Sequence, residues 1–598
     1  MTLRAIGGLA TYNILVFGVG SGLLWGLGGW RFWSDLFRLA GVAYLLGLAT
    51  MMITLTLALV VGLPLTLATA AASGAALFLT GVGLGALRGN PRPTLPAQRV
   101  RVPGLSLFVA LFVAAIVVFL EALFRAGRLA SIGLEWDGWA FWVPKAKALY
   151  FFGELDTEFL FALPPWTPSY PPGLPALHGL AFHAMGSADA STLHLQYWFY
   201  AVGFVGAVIG LLATRVRQAI LFPLLLVVLV TPSLVYQFVS VNADVPLAYL
   251  VAIAALLVVL WLEERQDWQL ATATMLLSGA ILTKREGILL VACVFLAGFA
   301  ASVKERRTLW PRLAIAVGVA FAITLPWRVW FMEKGLPSDG PDSGYLGSFG
   351  YLERAWPAFE LVVMTFFDTG LWLVVPILAG LAVGLAIVVR AWQLSVFTGV
   401  FAGAAFAAAT WAIWANTALT LTPDNADNPI VRLLGTPILV LALLTPLLLE
   451  RAWGMAPRVP PQPAVHWWKW FLWRSRLTWV IVAVAAVAYP GSAIVGYSGQ
   501  TLPGGLPRFP SATDCVVPSV SGQRVRLVVG YAGSYPEARA LRARARAAGL
   551  RNTEVGRDGC GRLRVFVDDL PSAAASRALF AEAAAAKLEP TLEHDSDR

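Results

Sequence analysis

Apolar runs of about 20 residues recur along this chain, and that repetition limits what it can fold into. Inside a bilayer every backbone N–H and C=O must be satisfied within its own segment, so such runs read as membrane-crossing helices. Candidate spans fall at 11–30, 39–61, 63–87, 105–125, 192–213, 218–239, 244–262, 268–283, 287–303, 312–331, 368–389, 394–418, 430–450 and 477–496, which is about fourteen crossings. Composition agrees, since 58% of the 598 residues are hydrophobic and only 13% are charged, well below the charge of a soluble domain. The chain reads as a polytopic α-helical membrane protein. Its net charge of +10 does not point to nucleic acid, because the basic residues lie in short connectors between apolar runs.

Those connectors set the orientation. Arg31, Arg38, Arg88, Arg92, Arg99, Arg101, Arg215, Arg217, Lys304, Arg306, Arg307, Arg390 and the group from Arg451 to Arg476 fall on one side when the crossings are counted in order. By the positive-inside rule that side is cytoplasmic. The acid- and proline-rich loops 126–190, 240–244, 284–286, 332–367 and 419–429, and the tail after 497, then lie outside. The Trp- and Arg-rich stretch 451–476 reads as a surface-lying segment. Residues 1–30 lack a clustered basic start and a cleavage signal, so they read as a retained helix. Cys293 falls within an apolar run and reads as packing.

Polar chemistry concentrates in Leu134–Gly179, flanked by apolar spans. Glu135 and Asp137 stand two apart beside Trp136, Trp139, Phe141 and Trp142. A carboxylate against aromatic walls at the lipid–water boundary is partly desolvated and suited to proton abstraction; the alternative is an interfacial aromatic belt with two solvated acids. Lys145 and Lys147 follow in a helical stretch that reads as lying flat on the membrane, its cations available to a lipid phosphate. The run PPWTPSYPPGLP, with Tyr170, returns the chain to the membrane as a stiff extended segment. An acid, cations and stacking aromatics at a bilayer surface are the parts needed to move a sugar from a lipid phosphate.

The pattern WD-x-W…KAKAL…YPPGLP, followed by NADVPLAYL and TKREG, resembles the GT-C superfamily of membrane glycosyltransferases over roughly 105–450. Its members of the protein mannosyltransferase and lipid A aminoarabinose transferase type take sugars from polyprenyl-phosphate donors. The resemblance implies that an acid of the external loop deprotonates the acceptor; that position falls on Asp137, with Glu135 competing. A second acidic position falls on Asp244, which could instead simply cap its helix, and Glu286 stands close to it in function. Lys284 and Arg285 would grip the donor phosphate, or snorkel at a helix end; Arg432, opening the run NPIVRLLG, is a further phosphate ligand, as are Lys145 and Lys147. No cofactor is implied with certainty and a divalent metal ion is left open; His178, His183 and His194 match no tight ligand spacing. Two rival readings are a transporter or flippase of a lipid-linked sugar, and a cell-wall-binding scaffold.

From Arg524 the tail reads strand, helix (Ser534–Ala548), strand (Asn552–Val555), turn, strand, helix (Pro571–Lys587) and a short final strand (Glu589–Leu592). That order, βαββαβ, implies a small α+β ferredoxin-like sandwich. VVGYAGSYPEARALRARARAAGL and GRLRVFVDDLPSAAASRALF resemble a SPOR-like domain, a family associated with binding peptidoglycan glycan strands. The resemblance implies a bacterial inner-membrane protein with its C-terminal domain in the periplasm, where Cys515 and Cys560 would be a disulfide candidate. The expected organisation is 1–104 as N-terminal membrane helices, 105–496 as the transferase module, 497–522 as linker and 523–598 as the tail domain. Expected partners are the polyprenyl-phosphate sugar, a glycan, lipid or protein acceptor, membrane lipids and peptidoglycan.

Overall fold

The apolar runs fold as helices. A computed structural model describes residues 3–95, 104–129, 137–155, 169–188, 190–239, 241–336, 352–389, 391–415, 429–455, 471–487, 525–532, 535–557, 563–570 and 573–594. The chain divides into a large helical unit, 1–147 with 155–500, and a smaller unit, 501–598 with 148–154. The principal helices of the large unit are α1 (Leu3–Gly26), α2 (Ala40–Val60), α3 (Leu67–Leu87), α4 (Leu107–Leu129), α5 (Gly173–Met185), α6 (Ala190–Leu212), α7 (Gln218–Leu229) and α8 (Pro232–Val239). They continue with α9 (Asp244–Glu264), α10 (Asp267–Thr283), α11 (Gly287–Ala301), α12 (Arg306–Ala322), α13 (Leu325–Glu333), α14 (Val375–Val388), α15 (Trp392–Ala415) and α16 (Pro429–Met455).

Among the described residues, nine helical stretches are long and apolar enough to cross a membrane, or ten if the pair α7–α8 is one bent span. That pair bends by 62°, and the cause is local: Pro232 supplies no N–H and disfavours helical backbone at Thr231 before it. The runs expected to cross at 268–283, 287–303 and 368–389 correspond to shorter helices, α10 with 17 residues, α11 with 15 and α14 with 14; of the run 477–496 the described residues hold Thr478–Val487 as helix, and the rest lies outside them. α10 and α11 are cut short by the charged turn Lys284–Glu286 between them.

Helix α9 is the axis of the large unit. Every residue from Asp244 to Leu262 is buried, as expected for a helix that is apolar all round, and α10, α11 and α16 pack on it. On the other flank glycines let backbones meet. A Cβ on Gly20 of α1 would lie 1.7 Å from the Ala43 carbonyl oxygen of α2, and one on Gly41 would lie 2.2 Å from that of Gly203 on α6. Dispersion and hydrogen bonds hold helices together where lipid removes the hydrophobic difference. Both operate here. Asn13 Nδ2 donates to Gln196 Oε1 (2.8 Å), Gln196 Nε2 returns a bond to Asn13 Oδ1 (3.0 Å), and the Tyr44 hydroxyl donates to the same oxygen (2.6 Å).

The basic end of the bundle is not purely basic. Arg215 pairs with Glu264 (2.5 Å), Arg217 with Glu450 (3.1 Å), Arg265 with Glu305 (2.5 Å), Arg312 with Asp267 (2.8 Å) and Arg451 with Glu263 (3.0 Å). The positive-inside count remains usable because it weighs Lys and Arg and gives acids little weight.

In the smaller unit, β1 (Val525–Ala532), α17 (Tyr535–Ala547), β2 (Glu554–Arg557), β3 (Leu563–Leu570), α18 (Ala573–Ala585) and β4 (Thr591–His594) form a four-stranded sheet with two helices. All pairings are antiparallel, in the order β2-β3-β1-β4. β4 starts two residues later than its expected start at Glu589 because Pro590 has no N–H to offer the ladder. Cys293 is buried in α11; Cys515 and Cys560 lie outside the described residues.

The glycine contacts set a matched test. Gly20→Ala places a methyl against backbone that cannot yield and should lower the melting temperature in detergent by several degrees, a cost of about 1–3 kcal/mol. Gly18→Ala, whose Cβ would meet nothing within 4 Å, should leave it unchanged or slightly higher. Equal melting of both variants would contradict the close α1–α2 packing.

Candidate functional site

Three helix ends and one irregular turn converge on a buried cluster of charges. Asp244 is the first residue of α9, reached through Val241, which holds φ at +57°. A β-branched residue in left-handed backbone is strained by about 1–3 kcal/mol, and such strain gathers at functional sites. Lys284, Arg285 and Glu286 make the turn from α10 into α11. Only glycine fits at the start of α11, since a Cβ on Gly287 would lie 2.3 Å from the Ala280 carbonyl oxygen. Arg432 stands in the first turn of α16. Asp137 precedes a π-helical turn, Gly138–Trp142, a form that also concentrates at functional sites.

The network centres on Asp244. Lys284 Nζ donates to its Oδ1 at 2.8 Å, and Arg432 donates to its Oδ2 through Nε (2.9 Å) and Nη2 (2.7 Å). Arg432 Nη2 also donates to Asp137 Oδ2. Asp244, Lys284, Arg432 and Asp137 are 5, 7, 8 and 9% exposed, so each charge depends on its partners and not on water. The helix-cap alternative for Asp244 is not what forms: Ala243 occupies the cap position, and no side chain caps that end. Nor does Lys284 snorkel.

A second tier borders this core. Glu286 lies 3.9 Å from Lys284 and accepts a hydrogen bond from the Tyr170 hydroxyl at 3.1 Å. Arg285 donates to Ser169 Oγ at 3.4 Å and stands 5.7 Å from the Tyr170 ring centre. Low access to water, with the Glu286 carboxylate alongside, pushes the Tyr170 phenol well above its usual range, so it stays a neutral donor. Trp142 is fully buried against Leu174 and Ala243, with its ring 5.4 Å from that of Tyr170.

Most of the expected site residues therefore meet: Asp137, Asp244, Lys284 and Arg432 in the core, Glu286, Arg285 and Tyr170 beside it, Trp142 behind. The stretch expected to lie flat with its aromatics in lipid is instead tucked into the protein at Trp142. Lys145 is buried and Lys147 half-buried further along the same helix, Val143–Phe152. Glu135 and Trp136 lie outside the described residues, and Trp139 falls within the π-helical turn. Sequence reasoning missed Ser169 and the pairing of Asp137 with Arg432; nothing in the local pattern around either signals a contact across 295 positions.

A divalent ion fits this donor set poorly. The carboxylates that would bind it are already engaged by Arg432 and Lys284, and among the described residues no three His, Cys, Asp or Glu side chains gather as ligands. The arrangement is suited instead to an anion: two or three cations held in place by acids, at one end of the helices.

Arg432→Met would strip the buried Asp137 of its guanidinium and leave Asp244 with Lys284 alone, and should cost about 3–5 kcal/mol, read as a lowered melting temperature. Adding Asp137→Asn should recover part of that loss, so that the double variant melts above the sum of the singles. Strict additivity would mean that the Asp137–Arg432 pair does not form. Compared with known protein families, curated proteins and solved structures, the chain matches none, so its functional reading stands on this geometry and on the sequence motifs.

Proposed function

We propose that the protein is a membrane glycosyltransferase of GT-C type, which moves a sugar from a polyprenyl-phosphate donor to an acceptor hydroxyl at the outer face of the bacterial cytoplasmic membrane. The observation that carries this reading is the buried Asp137–Arg432–Asp244–Lys284 network at one end of the bundle. It joins a base candidate to anion-binding cations.

In this reading the donor phosphate competes with Asp137 for Arg432 and draws on Lys284 and Arg285. Asp244 stays behind to hold the cations in place. Asp137, with Glu135 as the alternative, is released to take the proton of the acceptor hydroxyl. The acceptor oxygen then bonds to the anomeric carbon as the bond from that carbon to the phosphate oxygen breaks, and polyprenyl phosphate leaves with the electron pair. The cations stabilise the charge that develops on it, and positioning supplies much of the remainder because phosphate is already an adequate leaving group. Inversion at the anomeric carbon is implied by the family resemblance.

The smaller unit supports the second half of the reading. Its βαββαβ order and its strand order support the ferredoxin-like reading, and with the SPOR-like sequence they favour a periplasmic domain that binds peptidoglycan. Full-length protein should therefore co-sediment with purified sacculi, and a chain ending at residue 500 should not.

A second reading, a transporter of the same lipid-linked sugar, draws on the broken helix α7–α8, since discontinuous helices mark many transporter sites. One experiment separates the two. Purified protein is given a panel of polyprenyl-phosphate sugars, wild type beside the near-isosteric Asp137→Asn. Loss of roughly 10²–10⁴ in turnover is expected. Turnover equal to wild type would remove Asp137 as the base, and donor binding without turnover in the wild type would favour transport.

A further inference from the structure

Beside the charged network lies a set of buried polar groups that nothing so far employs. Among the described residues, Trp142 Nε1, both side-chain atoms of the Asn242 amide and both ring nitrogens of His178 are buried without a hydrogen-bond partner. All three residues are 0% exposed. Burying such groups unsatisfied costs about 1–3 kcal/mol each, and native proteins rarely leave several together.

They are neighbours. Trp142 packs on Ala243, the residue after Asn242, and on Leu174 of α5. His178 stands one helical turn beyond Leu174 on the same face of α5, with its ring 5.8 Å from that of Tyr197. The Tyr197 hydroxyl in turn donates to the Asn242 carbonyl oxygen at 3.0 Å. That bond fixes the strained turn from Val241 without using the Asn242 side chain. Three separate elements thus present polar atoms within two residues of Asp244 or in contact with the wall next to it.

The chemistry of these atoms selects a ligand class. Trp142 offers one donor, and Asn242 two donors and an acceptor. Burial lowers the His178 imidazole to about 3, so it is neutral and offers one donor and one acceptor. A phosphate would ask for donors alone and a cation for acceptors alone. Hydroxyl groups, which donate and accept, match the set.

We infer that Trp142, Asn242 and His178 form an uncharged subsite that reads the ring hydroxyls of the donor sugar, next to the cations that hold its phosphate. This rests on the glycosyl-transfer reading and assigns specificity to residues that reading does not use.

The test measures two dissociation constants for full-length protein in lipid nanodiscs: one for a polyprenyl-phosphate hexose, one for bare polyprenyl phosphate. Their ratio is the readout, because a damaged fold weakens both affinities together and leaves it unchanged. Trp142→Phe keeps an aromatic ring on that side of Leu174 and removes the N–H together with part of the indole; Asn242→Leu keeps the branched shape and removes the amide. Each should reduce the preference for the sugar-bearing lipid about 5-fold, the worth of one hydrogen bond. A ratio equal to wild type in both variants would overturn the subsite and leave the transferase reading standing, with internal water as the partner of these groups. A wild-type ratio near one would likewise overturn it. Failure of the wild type to bind either lipid would overturn the transferase reading and this inference with it.

Discussion

The interaction on which the rest of the large unit depends is the clasp of Asp244 by Lys284 and Arg432. A carboxylate at the head of a fully buried helix cannot be left to water, so its two oxygens must be satisfied from neighbouring elements. Lys284 reaches it only because α10 ends and turns sharply at Gly287; Arg432 reaches it only because α16 begins at the same level. One anion therefore fixes the relative height of α9, the α10–α11 turn and α16. Desolvation makes such clusters poor sources of net stability but strict about geometry. That suits the proposed reading, in which the cations must be held in a fixed position.

Strain and dissatisfaction collect in the same place. Val241 holds left-handed backbone, Gly138–Trp142 departs from α-helical spacing, and Trp142, Asn242 and His178 hold unmet polar atoms. Elsewhere glycines sit where helices touch, amides answer amides, and arginines at the opposite end find carboxylates. Sequences tend to break their own rules where function requires it. Here a strained residue, a π-helical turn and three side chains with unmet polar atoms lie around one carboxylate.

Much of this architecture could be read from sequence, and the reasons differ by element. The apolar runs announce helices because bilayer thickness sets their length; the short helices α10, α11 and α14 are where that signal is weakest, since packing against protein relieves a helix of crossing alone. Asp137, Asp244, Lys284 and Arg432 each stood out singly, as charges at the edges of apolar runs. Their union did not, because Asp244 and Arg432 are 188 positions apart and no periodicity reports such a contact. Trp142 read as an interfacial aromatic and is instead an interior anchor, a distinction that depends on α5 folding back over it. Asn242 carried no signal at all: one amide beside a more conspicuous aspartate.

The state of Asp137 bears on how such a site can work. In the proposed reading, the carboxylate that takes the proton is held by the same cation that would assist the leaving group. Pairing therefore couples two events. While the phosphate is absent, Arg432 holds Asp137 and the carboxylate is restrained; when a phosphate takes the guanidinium, the carboxylate loses that partner and is released toward the acceptor. Proton abstraction then becomes favourable only with the donor seated. The same coupling discourages transfer to water from an incompletely loaded site, because water entering without the phosphate meets a carboxylate still held by Arg432. In this reading, one arginine shared between two aspartates gives the ordering of substrates without a moving lid.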